Sequence, residues 1–390
     1  MKIAVILPWG ARFSPSASPG AIELCVKDFI AHSRFRDTTV VITNPPEHDG
    51  QAHPPYDVCE FRPAALTRIR ANRTAWHRAL IDQLLDIRPD VIQVQQTPVT
   101  AHALKGAFPK IPVILHRHDA QFPGNPIKRW LIKRDIRAAD FVICNSDFIL
   151  RHHIKHCGTR PEATQRIYNG INFALNEAGQ TKEQLIVCVA ARMPRKGPEL
   201  FAGAIKPILA ANPTWHAAMV CVTTGTASSR FARNVEELIE SARTATSHGR
   251  FRRFDTLPHA TVMELYRRAS IAVIPSQWDE PFGRTALEAV ASKATIVSSG
   301  RGGLREITDA NALYPEAQSA EAYRKAIQSL IDAPERSKSM ADAALENAHR
   351  LFDAQTVAAQ YDTVMSDLAG TCGRSGRQHH SGETTVTGRL

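Results

Sequence analysis

The sequence predicts an α/β protein of two doubly wound domains, and three observations carry that prediction. Short apolar runs of strand length alternate with amphipathic segments of helical period along most of the chain. A chain of 390 residues is too long for one hydrophobic core and suits two domains of ordinary size. The alternation also restarts after a polar, aperiodic stretch at 176–183.

The elements follow in order. Apolar runs rich in Val and Ile at 3–7, 39–43, 91–95, 112–116 and 141–144 read as strands, and a second set follows at 185–190, 218–222, 271–275 and 295–298. Helical spacing marks 21–32, 73–85, 198–211, 235–245 and 261–269 between them. Continuous apolar strands separated by amphipathic helices imply parallel sheets covered on both faces. The expected layout is a first domain over 1–174 and a second over 175–350. A last helix (353–368, within a segment 351–369) should pack back on the first domain, and the polar, Gly- and Ser-rich stretch 370–390 reads as a disordered tail.

Composition is that of a globular protein, with 43% hydrophobic and 22% charged residues. No run approaches the roughly 20 apolar residues needed to span a bilayer. The first apolar run is stopped by Pro8 and reads as a strand rather than a signal peptide. Seven scattered cysteines without a C-x-x-C pair point to reduced thiols in a cytoplasmic protein. The net charge of +10 suits nucleic acid, an anionic membrane face or a phosphorylated substrate, and charge alone does not choose between them.

The chemistry concentrates in Ile271-Ala-Val-Ile-Pro-Ser-Gln-Trp-Asp-Glu280-Pro-Phe-Gly-Arg-Thr-Ala-Leu-Glu288. A strand ends at Pro275, a loop carries Glu280, and a helix starts near Gly283, where open α/β sheets bind ligands. Free amides of Phe282, Gly283 and Arg284 can meet negative oxygens, and glycine permits close backbone approach. Leu287, Val290 and Ala291 share the helix face expected to be buried; Glu288 falls outside it, where its carboxylate can accept two hydrogen bonds from a cis-diol. Two glutamates eight apart mean little alone; their strand-loop-helix setting and the following turn Gly302-Gly303-Leu304-Arg305-Glu306 give them weight.

With these flanks the chain resembles the family 4 glycosyltransferases over roughly residues 1–368. The resemblance implies the GT-B fold, a nucleoside diphosphate sugar as donor substrate, retention of anomeric configuration and no cofactor or metal. It implies that Glu280 contacts the donor sugar, Glu288 holds the nucleotide ribose, and amides around Phe282, Gly283, Arg284 and Thr285 touch sugar and diphosphate. A second strand-turn-helix, Ala190-Ala-Arg192-Met-Pro-Arg195-Lys196-Gly197, puts cations where a departing diphosphate accumulates charge. In the family the matching Arg and Lys grip the diphosphate, which selects Arg192 and Lys196. The turn is one residue shorter than the family's usual form, so Arg195 competes with Arg192. Asp255 stands where the family usually has a glycine beside the base, so the base stays open.

On the acceptor side, the loop after the first strand ends in Gly20-Ala21, and by resemblance Gly20 faces the donor phosphate. Strand 112–116 runs into Arg117-His118-Asp119; His118 is the candidate to orient sugar or acceptor, or to share the acceptor's proton. No covalent nucleophile is assigned: the family's reaction suits front-face attack, with the leaving phosphate taking the proton. Tyr168-Asn169-Gly170-Ile171 and Asn145-Ser146 match family turns. His152, His153, His156 and Cys157 lack a second paired element, which argues against a metal.

Two basic stretches, 61–78 and 127–137, the second carrying Trp130, suit a solvated face, or contact with an anionic membrane and a lipid-linked acceptor. The expected function is transfer of a hexose to a glycan or lipid-linked acceptor in surface polysaccharide or lipopolysaccharide synthesis. A nucleotide-sugar epimerase of the same fold is the rival; no acid/base set around a sugar supports it. No stacking or recognition element supports nucleic-acid binding.

Overall fold

In the computed structural model, the described residues are 1–8, 20–43, 57–60, 73–119, 124–173, 181–222, 229–245 and 249–375. The first domain is a seven-stranded parallel sheet in the order β3 (Asp57–Glu60), β2 (Thr39–Thr43), β1 (Ile3–Ile6), β4 (Val91–Gln95), β5 (Val113–Arg117), β6 (Phe141–Cys144), β7 (Thr164–Arg166). The second is a six-stranded parallel sheet in the order β10 (Phe251–Phe254), β9 (His216–Val222), β8 (Glu183–Ala191), β11 (Ala269–Ile274), β12 (Thr295–Ser298), β13 (Ala312–Leu313).

The apolar runs do what their composition dictates. Along β1, Ala4 and Ile6 enter one core while Ile3 and Val5 enter the core on the opposite face. In β8, Ile186, Cys188 and Ala190 alternate in the same way with Leu185 and Val187. Each sheet therefore needs helices on both faces. The first domain supplies α1 (Ala21–His32), α2 (Arg73–Ile87), α3 (Pro98–Ala107), α4 (Pro126–Arg137) and α5 (Asp147–Cys157). The second supplies α6 (Pro198–Ala211), α7 (Ser229–Ala245), α8 (His259–Arg268), α9 (Arg284–Ala291), α10 (Leu304–Thr308), α11 (Ala320–Ile331) and α12 (Pro334–Phe352).

The last helix, α13 (Ala354–Ser375), lies on α1 of the first domain. Asp362 accepts from Ser33 Oγ at 2.5 Å and from the Arg34 amide at 2.9 Å, and Tyr361 stacks on Phe29 with centroids 4.7 Å apart. The chain thus crosses between domains twice, and the crossings run side by side: Ile171 N donates to Phe352 O at 2.9 Å and Ala354 N to Ile171 O at 3.0 Å. Residues 370–375, read from sequence as tail, continue α13 despite Gly370 and Gly373; 376–390 fall outside the described residues.

In each sheet the strand order reverses once, between β1 and β4 and between β8 and β11. A crevice opens at such a reversal. The two crevices face each other, and the candidate site lies between them.

Candidate active site

A cavity of about 330 Å³ separates the domains, walled on one side by Ala21, Ile22 and Cys25 of the first turns of α1. The opposite wall is the loop after β11 and the start of α9, from Trp278 through Thr285. Gln96, His118 and Asn145 close the first-domain side, and Arg195 and Lys196 enter from the turn after β8.

The loop carrying Glu280 is fixed by a second loop. Glu280 bridges to Gly302, and Gly303 N donates to Glu280 O at 2.7 Å. Gly302 has φ +62, and a Cβ there would stand 2.3 Å from Glu280 O, so only glycine admits this approach. The Glu280 carboxylate is buried and holds Lys196 Nζ at 2.7 Å through Oε1, which also accepts from Ser276 Oγ. Gly283, with φ +109, is the N-cap of α9, so the amides that follow it open the helix at the cavity wall.

The turn after β8 separates its two arginines. Arg192 lies outside the cavity lining, its Nη2 3.4 Å from both Glu236 Oε2 and Asp255 Oδ1. Arg195 lines the cavity, has no carboxylate partner among the described residues, and lies over the Trp278 ring at 4.4 Å. Of the two arginines that the short turn leaves in competition, Arg195 stands beside Lys196 at the cavity, while Arg192 is turned toward Asp255 and Glu236. Trp278 has no role in the sequence reading; its signal is an aromatic residue in a βα loop beside two cations. Its indole Nε1 is buried without a partner among the described residues.

Glu288 corrects the helical-face argument. All of Ala286–Ala291 is buried, Glu288 included, because α9 is covered by α8, α10 and α12 as well as its own sheet. Its Oε1 accepts from Arg284 Nε at 3.0 Å and from His259 Nε2 at 2.9 Å. It sits behind Arg284 and Thr285, which reach the cavity while it does not. Gly20 caps α1 with extended backbone (φ −69, ψ 168) and so places the first turn of that helix at the cavity.

His118 Nε2 meets Gln95 Oε1 at 2.8 Å, so Nε2 carries the hydrogen and Nδ1 the lone pair, and its amide donates to Gln96 Oε1 at 2.7 Å. Gln96 holds φ +64, a rare backbone for glutamine, fixed by Arg117 Nη1 donating to its carbonyl at 2.6 Å. Burial, then the Arg117 charge, pushes the His118 imidazole down to about 3. It is a neutral ring near pH 7. His116 packs against it with centroids 4.0 Å apart and hydrogen-bonds Tyr361 of α13. The turn residues Asn145 and Asn169 line the cavity too, each buried with an Oδ1 that has no partner among the described residues.

Hydrogen bonds across the cleft join the walls. Arg284 Nη2 reaches Asp28 Oδ2 of α1 at 2.6 Å, and Ser146 Oγ donates to Pro281 O at 2.5 Å. Glu306 of α10 accepts the Asp147 and Phe148 amides at 2.7 Å each, capping α5 from the other domain. Among the described residues no cluster of three His, Cys, Asp or Glu is placed to hold a metal.

Residues 174–347 match the model of the glycosyl transferases group 1, and residues 30–175 match that of the glycosyltransferase family 4. The chain belongs to the family 4 glycosyltransferases. A D-inositol 3-phosphate glycosyltransferase of Kribbella flavida is 24% identical over 267 residues, covering 64% of this chain. The chain spans 63% of that relative's length, under two thirds. The crystal structure of Anabaena Alr3699/HepE in complex with UDP and glucose superposes with a TM-score of 0.72 at 20% identity, over 94% of this chain and 99% of that one. The sucrose-phosphate synthase of Thermosynechococcus elongatus superposes with a TM-score of 0.77 at 17% identity, over 95% of this chain and 100% of that one. These neighbours share the GT-B fold of this family 4 member, its two facing Rossmann-like sheets.

Proposed function

We propose that the chain is a retaining hexosyltransferase that moves a hexose from a nucleoside diphosphate sugar to a glycan or lipid-linked acceptor. The observation that carries this reading is the pairing of Lys196 with Glu280 beside Arg195, at a cavity opened by the N-terminus of α9. Two cations and a helix N-terminus suit a diphosphate, whose charge grows as the glycosidic bond breaks. Glu280 accepts hydroxyls of the hexose, and Glu288 the ribose diol. The acceptor hydroxyl attacks the anomeric carbon on the face the phosphate leaves, and that phosphate takes its proton. The neutral His118, with its Nδ1 lone pair, orients the acceptor hydroxyl rather than holding a charge. The Anabaena neighbour, solved in complex with UDP and glucose, supports a nucleotide-sugar donor. Melting temperature measured against UDP-, GDP-, ADP- and dTDP-sugars tests the reading, since a bound donor stabilises by mass action. One donor should raise it by several degrees in the parent and not in Lys196→Ala; no shift with any donor would sink the proposal.

The place of work in this reading is the cytoplasmic face of a membrane, in surface polysaccharide or lipopolysaccharide synthesis. Helix α4 supports it. Its Ile127 and Trp130 are 69% and 58% exposed, among Lys128, Arg129, Lys133, Arg134 and Arg137. Its one acidic residue, Asp135, is buried against Arg134 and His102. Exposed apolar side chains ringed by cations suit an anionic lipid surface. The other basic stretch supports it less: Trp76 packs in the core, and 61–72 lie outside the described residues. No described helix is long and apolar enough to cross a membrane. Co-sedimentation with phosphatidylglycerol vesicles at low salt should carry the protein down and leave Trp130→Ser with Ile127→Ser in solution; equal recovery of both would remove α4 from the account.

A further inference from the structure

We propose that Arg284 is a positioning residue that makes ribose recognition depend on the meeting of the two domains, with Asp28 as its anchor. The inference rests on the reading of Glu288 as the ribose ligand.

Arg284 is the first residue of α9, at the edge of an open cleft, yet its side chain is only 8% exposed. All three guanidinium nitrogens are engaged. Nη2 donates to Asp28 Oδ2 at 2.6 Å and Nη1 to Cys25 Sγ at 3.6 Å, both on α1 of the other domain. Nε donates to Glu288 Oε1 at 3.0 Å, one turn along its own helix. His259 meets the same Oε1, while Oε2 carries no hydrogen bond among the described residues.

The guanidinium is a rigid planar fork, so fixing one edge fixes the other. With its two terminal nitrogens held by α1, it can offer Glu288 only Nε, and one carboxylate oxygen stays available to a diol. Released from Asp28, it is free to turn and grip Glu288 with two parallel hydrogen bonds, the preferred arrangement of an arginine and a carboxylate. That arrangement closes both oxygens to a ribose. Asp28 touches no donor atom in this scheme; it acts by keeping Arg284 from chelating the ribose ligand. Donor recognition in the second domain then improves only when α1 of the first is in place.

Calorimetric binding of UDP and of 2′,3′-dideoxy-UDP separates the claims, or the GDP or ADP pair if that base is the one bound. The parent should prefer the ribose form by about 10-fold or more, the order expected for buried hydrogen bonds to a charged group. In Asp28→Ala, and in the isosteric Asp28→Asn should the first fold poorly, that preference should fall below about 3-fold with the dideoxy affinity little changed. A parent that binds both forms equally overturns the ribose reading of Glu288. A parent that discriminates, with Asp28 variants that discriminate as well, overturns the coupling and leaves the ribose reading standing. The double variant Asp28→Ala with Arg284→Ala leaves the interdomain ion pair broken but removes the arginine that would chelate Glu288, while His259 still meets that carboxylate. It should recover much of the ribose preference lost in Asp28→Ala alone; a preference that stays lost would overturn the chelation account and assign the pair a purely structural role.

Discussion

At the cavity wall, Lys196 and Arg195 differ in what already occupies them. Lys196 is held by Glu280 at 2.7 Å, whereas Arg195 rests on the Trp278 ring with no carboxylate nearby among the described residues. A diphosphate arriving here has to share Lys196 but meets Arg195 unshared. Arg195→Ala should therefore lower kcat/KM for the donor by about 10²-fold, the scale of losing one preorganised charge contact. Arg192→Ala removes the 3.4 Å contacts to Glu236 and Asp255 and a hydrogen bond to Cys221, all outside the cavity lining, so its expected cost is about 1–2 kcal/mol of stability and under about 3-fold in kcat/KM. Steady-state kinetics with both variants decide it; a larger loss for Arg192 would return the diphosphate to that residue. The sequence could not separate the two, since only two residues of turn lie between them and side-chain direction there depends on Asp255, after β10, and Glu236 of α7. The Glu280–Glu288 block was legible because strand end, loop and helix start are contiguous. Arg284 and Asp28 stand 256 residues apart, and no local pattern joins them.

Among elements, legibility followed burial. The Val- and Ile-rich strands β2, β4, β6 and β12 and the helices α1 and α6 occupy the ranges their periodicity indicates. The short β7 (Thr-Gln-Arg) and β13 (Ala-Leu) carry no period of their own, and a neighbouring strand's free edge makes them strands. At the carboxyl end of β5 and along α5, packing has a consequence that titration can read. Burial holds His116 well below its ordinary value and His118 and His153 down to about 3, with Arg117 adding to the last two and His118 to the first. Each folded value lies below the unfolded value of 6.5, so protons bind the unfolded chain more tightly. The stability these neutral rings allow is complete above pH 6.5 and is lost as pH falls from there toward about 3. Denaturant unfolding at pH 7, 6 and 5 should show falling stability, with a slope that flattens by nearly one proton in His153→Gln. Equal slopes in parent and variant would mean that His153 already titrates normally in the folded protein.

For the molecule as a whole, the deciding fact is that the end of the chain completes the beginning. Val357, Tyr361, Val364 and Met365 of α13 lie in the same core as Val26, Phe29 and Ile30 of α1 and Ile3 and Val5 of β1. Each such side chain is worth about 1.5–3 kcal/mol when buried, so α13 accounts for an amount comparable to the whole stability of an ordinary domain. Tyr361 also reaches His116, which packs against His118, so the same helix supports the His118 wall of the cavity. The first domain is therefore expected not to fold as a self-sufficient unit, although its sheet is continuous in sequence. A fragment ending at residue 173 should bind anilinonaphthalene sulfonate strongly and unfold without a cooperative transition. Adding a peptide of residues 354–370 should quench that fluorescence and restore a melting transition, and Tyr361→Ala in the peptide should abolish the rescue. A fragment that melts cooperatively without the peptide would show that α13 merely lies on a finished domain. Its contacts with α1 would then serve to hold the two domains together rather than to build the first.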